Sequence, residues 1–351
     1  MPIEVLIVDD SVLMRRMIAK YVEEDARLKV VGFASDGEQA VRMVKELQPD
    51  VVTMDVEMPV MDGIGALKRI MRECPVPVIM LSSLTEAGAM ATVSALQHGA
   101  VDFIHKPSGS MSLDIYKVKA EIHEKIKAAA AVTVSPTAAR SLELTRPVAT
   151  KASLAPHRTI VEQIVAIGSS TGGPQALTSL LGGLPDHFAH PIVVAQHMPA
   201  LFTASLARRL DQTAAVRVVE AKHEEPVENG TVYLAPGDYH MNVKEENGRY
   251  QILLHQRQVP GLHRPSVNEL FASVSGLEKL KRHFVILTGM GSDGAEEMAK
   301  AKAAGAATTT AEARETCVVY GMPRAAVERG GVDAVVPIGR MASRLVEVCG
   351  K

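Results

Sequence analysis

Short β-branched runs, separated by stretches whose apolar residues recur at helical spacing, fill the first third of the chain. The runs are Val5-Leu6-Ile7-Val8, Val30-Val31-Gly32-Phe33-Ala34, Val51-Val52-Thr53-Met54, Val78-Ile79-Met80-Leu81 and Val101-Asp102-Phe103-Ile104. This alternation predicts five βα units on a parallel sheet. From about Ala131 to Arg158 the composition changes to Ala, Ser, Thr and Pro without aromatics or glycine, the signature of a linker. The Ala/Lys-rich stretch Glu121 to Ala131 blurs its start, because the last helix can run into it. Alternation resumes with Ile164-Val165-Ala166-Ile167, Ile192-Val193-Val194-Ala195, Phe284-Val285-Ile286-Leu287 and Ala307-Thr308-Thr309-Thr310, which implies a second parallel α/β sheet. Between them, Val232-Tyr233-Leu234-Ala235 and Tyr250-Gln251-Ile252-Leu253-Leu254 flank turn-rich sequence and predict an inserted β-hairpin. The expected division is 1–128, a linker over 129–158, and a second domain over 159–351, all of class α/β, the second doubly wound. No internal repeat is visible.

Composition narrows what such a chain does. At 351 residues it is long enough for two domains of about 150. With 47% hydrophobic and 22% charged residues, each half can bury a core of its own. Lys+Arg 38 against Asp+Glu 40 gives a net charge of -2, without the basic excess that nucleic-acid binding demands. Cys74, Cys317 and Cys349 show no metal-ligand or C-x-x-C spacing, which suits a reducing compartment. No signal-type apolar stretch opens the chain and nowhere do about 18 apolar residues run together, so a cytoplasmic protein without membrane insertion is expected.

Candidate chemistry gathers at the predicted C-terminal ends of the strands, where open α/β sheets collect their ligands. In the first domain Asp9 and Asp10 follow the first strand, Asp55 the third, Ser82 the fourth and Lys106 the fifth. Clustered carboxylates make a hard oxygen site suited to Mg²⁺. Lys106 can pair with a phosphoryl group added to Asp55, and the Ser82 hydroxyl can report that group by moving toward it. A single acidic residue after a strand is ordinarily just solvated, but one chemistry-bearing group per strand end is not explained that way.

Val8-Asp9-Asp10-Ser11, Met54-Asp55-Val56-Glu57-Met58-Pro59-Val60-Met61-Asp62-Gly63 and His105-Lys106-Pro107 make residues 1 to about 125 resemble the response-regulator receiver domain. The resemblance implies a (βα)5 fold with Asp55 as phospho-acceptor, and Mg²⁺ held by Asp10, Asp55 and the Glu57 carbonyl with Asp9 in support. It also implies a cis Lys106–Pro107 bond, and a switching role for Phe103, for which a buried core Phe is an equally good reading.

In the second domain Ile167-Gly168-Ser169-Ser170-Thr171-Gly172-Gly173-Pro174 places serine on a glycine-bounded turn ahead of a helix that opens at Pro174. A hydroxyl needs a base, and Ala195-Gln196-His197-Met198-Pro199 puts His197 at the end of the next strand. Asp293, in Thr288-Gly289-Met290-Gly291-Ser292-Asp293-Gly294, is the candidate that orients the imidazole. Backbone N–H groups of the glycine-rich turns can form an oxyanion hole. Other readings fit each piece alone: the Gly/Ser loop as a phosphate site, His197 or Asp293 as a helix cap. Gly168-Ser169-Ser170-Thr171-Gly172 also matches the G-x-S-x-G elbow of α/β-hydrolases, but no histidine lies on a late loop to complete that order. Gly289-Met290-Gly291-Ser292-Asp293-Gly294 with Glu312 matches a dinucleotide fingerprint, against which Asp293 would set a negative charge beside the pyrophosphate.

With Gln196-His197-Met198-Pro199, His263-Arg264-Pro265-Ser266, Leu234-Ala235-Pro236-Gly237-Asp238 and Tyr320-Gly321-Met322-Pro323 added, nearly the whole chain resembles the chemotaxis protein-glutamate methylesterase (CheB) family. The resemblance implies Ser170, His197 and Asp293 as catalytic residues, with the N–H groups of Thr171 and Met290 as oxyanion donors. Ser169 stands where the family often has alanine, and Ser170 is the favoured nucleophile. Also implied are hydrolysis of glutamate γ-methyl esters on methyl-accepting chemotaxis receptors, deamidation of receptor glutamine by the same path, and a histidine kinase as phosphodonor. Mg²⁺ would serve the receiver alone, with no cofactor for ester hydrolysis. A receiver on a mobile linker further suggests that the unphosphorylated domain covers the catalytic face. The alternatives are a dinucleotide-binding oxidoreductase and a non-catalytic response-regulator scaffold.

Overall fold

The computed structural model describes residues 1–83, 85–106, 115–132, 160–259, 261 and 263–350. The chain forms two compact units, Met1–Thr145 and Arg146–Lys351. The stretch expected to be a linker falls almost wholly outside the described residues, as does Pro107 with its expected cis bond.

The first unit alternates β1 (Ile3–Val8), α1 (Val12–Glu23), β2 (Leu28–Ala34), α2 (Gly37–Leu47), β3 (Val51–Asp55), α3 (Gly63–Glu73), β4 (Val78–Ser82), α4 (Glu86–Gln97), β5 (Asp102–His105) and α5 (Ile115–Ala130). The strands pair in parallel in the order β2-β1-β3-β4-β5. Every residue of β3 and β4 is buried, as expected where helices cover both faces of a sheet. Ser11, Asp36, Asp62 and Thr85 start α1 to α4 by accepting an N–H three residues on, so polar residues set where each helix begins. Helix α5 reaches Ala130, two residues into the segment assigned to the linker.

The second unit contains β6 (Gln163–Ser169), α6 (Gly173–Gly182), β7 (Ile192–Gln196), α7 (Phe202–Thr213), β8 (Arg217–Glu220), β9 (Thr231–Leu234), β10 (His240–Glu246) and β11 (Arg249–His255). It continues with α8 (Val267–Ser275), β12 (Lys281–Ile286), α9 (Ala295–Ala303), β13 (Thr308–Glu312), α10 (Met322–Glu328), β14 (Ala334–Val336) and α11 (Ile338–Cys349). Seven strands form a parallel sheet in the order β14-β13-β12-β6-β7-β9-β8. The chain winds outward from β6 in both directions, which puts the switch point beside β6 at the centre of the sheet. Among the described residues no helix is long and apolar enough to cross a membrane.

The inserted hairpin is real, but one of its arms is not where the sequence reading put it. Val232, Tyr233 and Leu234 lie in β9, paired in parallel with β7 and β8. The antiparallel partner of β11 is β10, with Met241 opposite Leu254 and Val243 opposite Ile252. A four-residue apolar run fits a strand buried on both faces, and β9 is such a strand.

One buried histidine ties the sheet to the C-terminal helix. His283 on β12 contacts Gln163 Oε1 through Nε2 at 3.0 Å and Thr308 Oγ1 through Nδ1 at 2.9 Å, while Gln163 Nε2 donates to the carbonyl of Cys349. Because Gln163 Oε1 only accepts, Nε2 carries the proton and Nδ1 accepts from the threonine hydroxyl. Burial, with His190 and Lys281 adding to it, pushes His283 from 6.5 down to about 4. Between those values the unfolded chain binds a proton that the folded one refuses. Stability is therefore expected to fall by about 3 kcal/mol as pH drops from 6.5 to 4. Calorimetric unfolding of the full chain checks this, and His283→Gln should flatten the slope in that window.

Candidate active site

In the first unit the ends of β1, β3 and β5 bring Asp9, Asp10, Asp55 and Lys106 together. Asp9, Asp10 and Asp55 each offer an oxygen within 4.8 Å of the others. Lys106 Nζ lies 2.6 Å from Asp55 Oδ2 and 2.9 Å from Asp9 Oδ2. Asp9 and Asp55 are buried and Asp10 is exposed, so the cluster opens to solvent on one side. Burial pushes the Asp55 carboxyl up against the opposing pull of Lys106. Burial works to lower Lys106, but its bonds to Asp55 and Asp9 hold the ammonium above its ordinary range. The exposed Glu57 contributes its backbone, N–H donating to Asp55 Oδ1 at 3.3 Å. Ser82 is buried with its hydroxyl on the Gly88 and Ser83 carbonyls at 3.2 and 3.3 Å, turned toward the start of α4. Phe103 is buried too, its ring 5.0 Å from Lys125 Nζ.

In the second unit the groups converge at the switch point. Ser169 ends β6, wholly buried, its hydroxyl donating to Gln196 Oε1 at 2.7 Å. Ser170 is the first residue of the turn and half-buried. Gly172, at φ +78, adopts a left-handed conformation that lets the turn feed α6, and a Cβ on Gly173 would overlap Gln196 Oε1. The Ser170 N–H donates to Thr288 O, and the His197 N–H donates to Ser169 O, each at 3.0 Å. A Cβ on Gly289 would stand 2.8 Å from Ser170 Cβ, so the Gly289-Met290 backbone packs directly against the serine. Thr171 is buried and Met290 half-buried.

His197 Nε2 meets Asp293 Oδ2 at 2.8 Å, while Nδ1 is buried and makes no hydrogen bond. Asp293 reaches across to the start of α8. Its Oδ2 accepts the Val267 N–H at 2.7 Å, and its Oδ1 accepts the Asn268 N–H at 2.9 Å and the Ser266 hydroxyl at 3.1 Å. Burial works to raise its pKa, but His197 and those helix-terminal N–H groups outweigh it and hold the carboxyl at about 2. Asp293 is thus a fixed anion at a helix N-terminus. It is not the cap of α9, whose N-cap is Gly294 without a side-chain bond.

Several participants escape a reading of the sequence alone. Gln196 Nε2 donates to the carbonyls of Ser170 and His197 at 2.9 and 3.1 Å, clamping the serine turn to the histidine strand. The exposed His263 stacks on His197 with ring centroids 4.0 Å apart. Ser266 caps α8 and holds Asp293 together with Val267 and Asn268; the Ser266–Glu269 capping-box spacing was the available signal for that helix start. Glu312, the candidate ribose ligand of a dinucleotide site, is wholly buried and accepts the Thr288 N–H, which leaves it no route to a ribose.

Comparison with known proteins reaches both units. A family model described as CheB methylesterase matches residues 165–345, and one described as response regulator receiver domain matches residues 5–115. A Geobacillus kaustophilus protein named protein-glutamate methylesterase/protein-glutamine glutaminase is 47% identical, covering 99% of this chain and 99% of its own. A Thermotoga maritima protein of the same name is 46% identical over 99% of this chain and 98% of its own. The crystal structure of the Thermotoga maritima CheB methylesterase catalytic domain superimposes with a TM-score of 0.52 at 44% identity, covering 54% of this chain and 100% of that one. Their extent makes this chain a member of the protein-glutamate methylesterase/protein-glutamine glutaminase family.

Proposed function

We propose that this chain hydrolyses glutamate γ-methyl esters on methyl-accepting chemotaxis receptors, releasing methanol, and deamidates receptor glutamine by the same route, under control of phosphorylation at Asp55. The observation that carries the reading is the state of His197: Nε2 is committed to an ionised Asp293, which leaves Nδ1 as the nitrogen that takes a proton. In the neutral imidazole Nε2 then bears the hydrogen and Nδ1 a lone pair.

Ser170 Oγ attacks the ester carbonyl carbon while His197 Nδ1 takes its proton. The Thr171 and Met290 N–H groups receive the oxyanion, aided by the positive end of α6. His197 returns the proton to the methoxy oxygen and methanol leaves an acyl-enzyme. It then deprotonates the attacking water, and the proton goes to Ser170 as glutamate is released. With a glutamine substrate ammonia leaves instead. Asp293 fixes the tautomer and stabilises the imidazolium in both halves.

The carboxylate cluster fits a divalent cation, since three carboxylates converge against one lysine. Asp10, Asp55 and the Glu57 carbonyl would hold Mg²⁺, with Asp9 behind them. The ion would offset the charge of the incoming phosphoryl group. Asp55 accepts that group from a histidine kinase and Lys106 pairs with it. Ser82 leaves the Gly88 carbonyl for a phosphoryl oxygen, and Phe103 moves with it.

Methanol release from methylated receptor membranes tests the reading. The full chain should release methanol, faster with a small-molecule phosphodonor and Mg²⁺, and Asp55→Ala should abolish that stimulation. A well-folded chain that releases none would favour the scaffold alternative.

A further inference from the structure

Glu312 is a buried acid that the mechanism above does not use. It ends β13, wholly buried, beside the end of β12 that leads into Thr288-Gly289-Met290. Both of its oxygens are engaged. Oε2 accepts the Thr288 N–H at 2.8 Å and Oε1 accepts the Thr316 hydroxyl at 3.0 Å. The Cys317 thiol is a third donor to the carboxyl; none of the three carries a charge, and burial pushes the carboxyl up against their pull. Thr288 is in turn spent on the turn that bears the serine. Its carbonyl accepts the Ser170 N–H at 3.0 Å. Its hydroxyl donates to Thr171 O and accepts the Val319 N–H, both at 2.9 Å. The next residue, Gly289, lies against Ser170 and accepts at its carbonyl from the Gly321 and Met322 N–H groups. One line of contacts therefore runs from the Glu312 carboxyl through the two peptide groups that flank the Thr288 Cα to the backbone of the serine.

We infer that Glu312 is a positioning residue of the esterase site, an acceptor that fixes the Thr288–Met290 segment and with it the spacing between Ser170 Oγ and the N–H groups of Thr171 and Met290. The inference rests on the reading of Ser170 and its oxyanion donors given above. The position requires an acceptor, not a charge, because Thr288, Thr316 and Cys317 are all neutral donors. A fixed negative charge behind an oxyanion hole would oppose the oxyanion as it forms. An amide should therefore serve there, whereas a shorter acid that withdraws from the Thr288 N–H should not.

The test compares the full-length wild type with Glu312→Gln, Glu312→Asp and Glu312→Ala. It reads kcat and KM for methanol release, and hydrogen exchange of the peptides containing Ser170 and Thr288. Displacing reacting groups by about an ångström costs up to about 100-fold in rate. Glu312→Asp and Glu312→Ala should therefore lose about 10- to 100-fold in kcat with KM within about twofold. Glu312→Gln should stay within about threefold of wild type. Exchange should quicken around Ser170 and Thr288 in the Asp and Ala variants and remain slow in the Gln variant. If Glu312→Ala does not fold, the Asp and Gln pair decides. Wild-type kcat in Glu312→Asp, or a Gln variant as impaired as the Asp one, would overturn the inference. Absence of methanol from the wild type would overturn the esterase reading itself. Slow exchange in Glu312→Asp would then count separately against the anchoring of Thr288.

Discussion

Ser170→Ala is expected to lower methanol release by about 10⁴- to 10⁶-fold with its fold intact, the scale at which a hydrolase loses its nucleophile. Ser169→Ala should behave differently. The Ser169 hydroxyl is wholly buried and donates to Gln196 Oε1, so it cannot reach a substrate without breaking that bond. Its removal leaves Gln196 Oε1 without its donor, which costs about 1–3 kcal/mol of stability. Because Gln196 Nε2 also holds the carbonyls of Ser170 and His197, the rate should drop by no more than about tenfold as that clamp loosens. Steady-state methanol release beside a calorimetric Tm for each variant separates the two. A large loss confined to Ser169→Ala would mean that Ser169 attacks, and an equal large loss in both variants would mean that the Ser169–Gln196 bond is as necessary to the reaction as the Ser170 hydroxyl. Ser170→Ala with wild-type release would remove the serine mechanism.

What the sequence made legible, and what it hid, follows from the range of the interactions. Strand ends are local: a β-branched run followed by Asp, Ser or Lys marks where the sheet stops, and Asp9, Asp55, Ser170 and His197 each lie at or directly after such an end. The order β2-β1-β3-β4-β5 and the winding outward from β6 then bring those ends together without further information. Contacts that cross between elements were hidden. Asp293 is held by backbone groups 25 and 26 residues earlier in the chain, at a helix start that the Ser266–Glu269 spacing marks but does not tie to Asp293. Gln196 holds Ser170 from 26 residues away. The misplaced hairpin arm has a different cause. In β10, Met241 and Val243 are buried while Asn242 and Lys244 are only partly covered, and the strand ends in two exposed glutamates. That alternation is weaker than the apolar run of β9, so a search for apolar runs selects β9. Ser82 was placed at the right strand end, but its hydroxyl direction depends on the turn into α4, which residue types do not encode.

Asp293→Asn should cost on the order of 10³- to 10⁴-fold in kcat, although it preserves nearly every atom of the site. With its oxygen in the Oδ1 place the asparagine still accepts the Asn268 N–H and the Ser266 hydroxyl, while its amide nitrogen takes the Oδ2 place and leaves the Val267 N–H without an acceptor. Its NH₂ group then faces His197 Nε2 and requires a lone pair there. The imidazole proton moves to Nδ1, the nitrogen that must be bare to receive the proton of Ser170. A variant at wild-type rate would therefore sink the assignment of Nδ1 as the base. The same substitution carries a second, independent signature in stability. Asp293 is held at about 2 against an ordinary 3.8, so its folded pKa lies below its unfolded one. The stabilisation is complete above about pH 4 and is lost as pH falls through about 2, amounting to about 2 kcal/mol at neutral pH. Asparagine mimics the protonated acid, so the variant should be less stable than wild type at pH 7 and nearly equal to it near pH 2. Unfolding of both proteins across that range would show the gap closing, and a gap independent of pH would mean that the α8 terminus does not hold Asp293 as an anion.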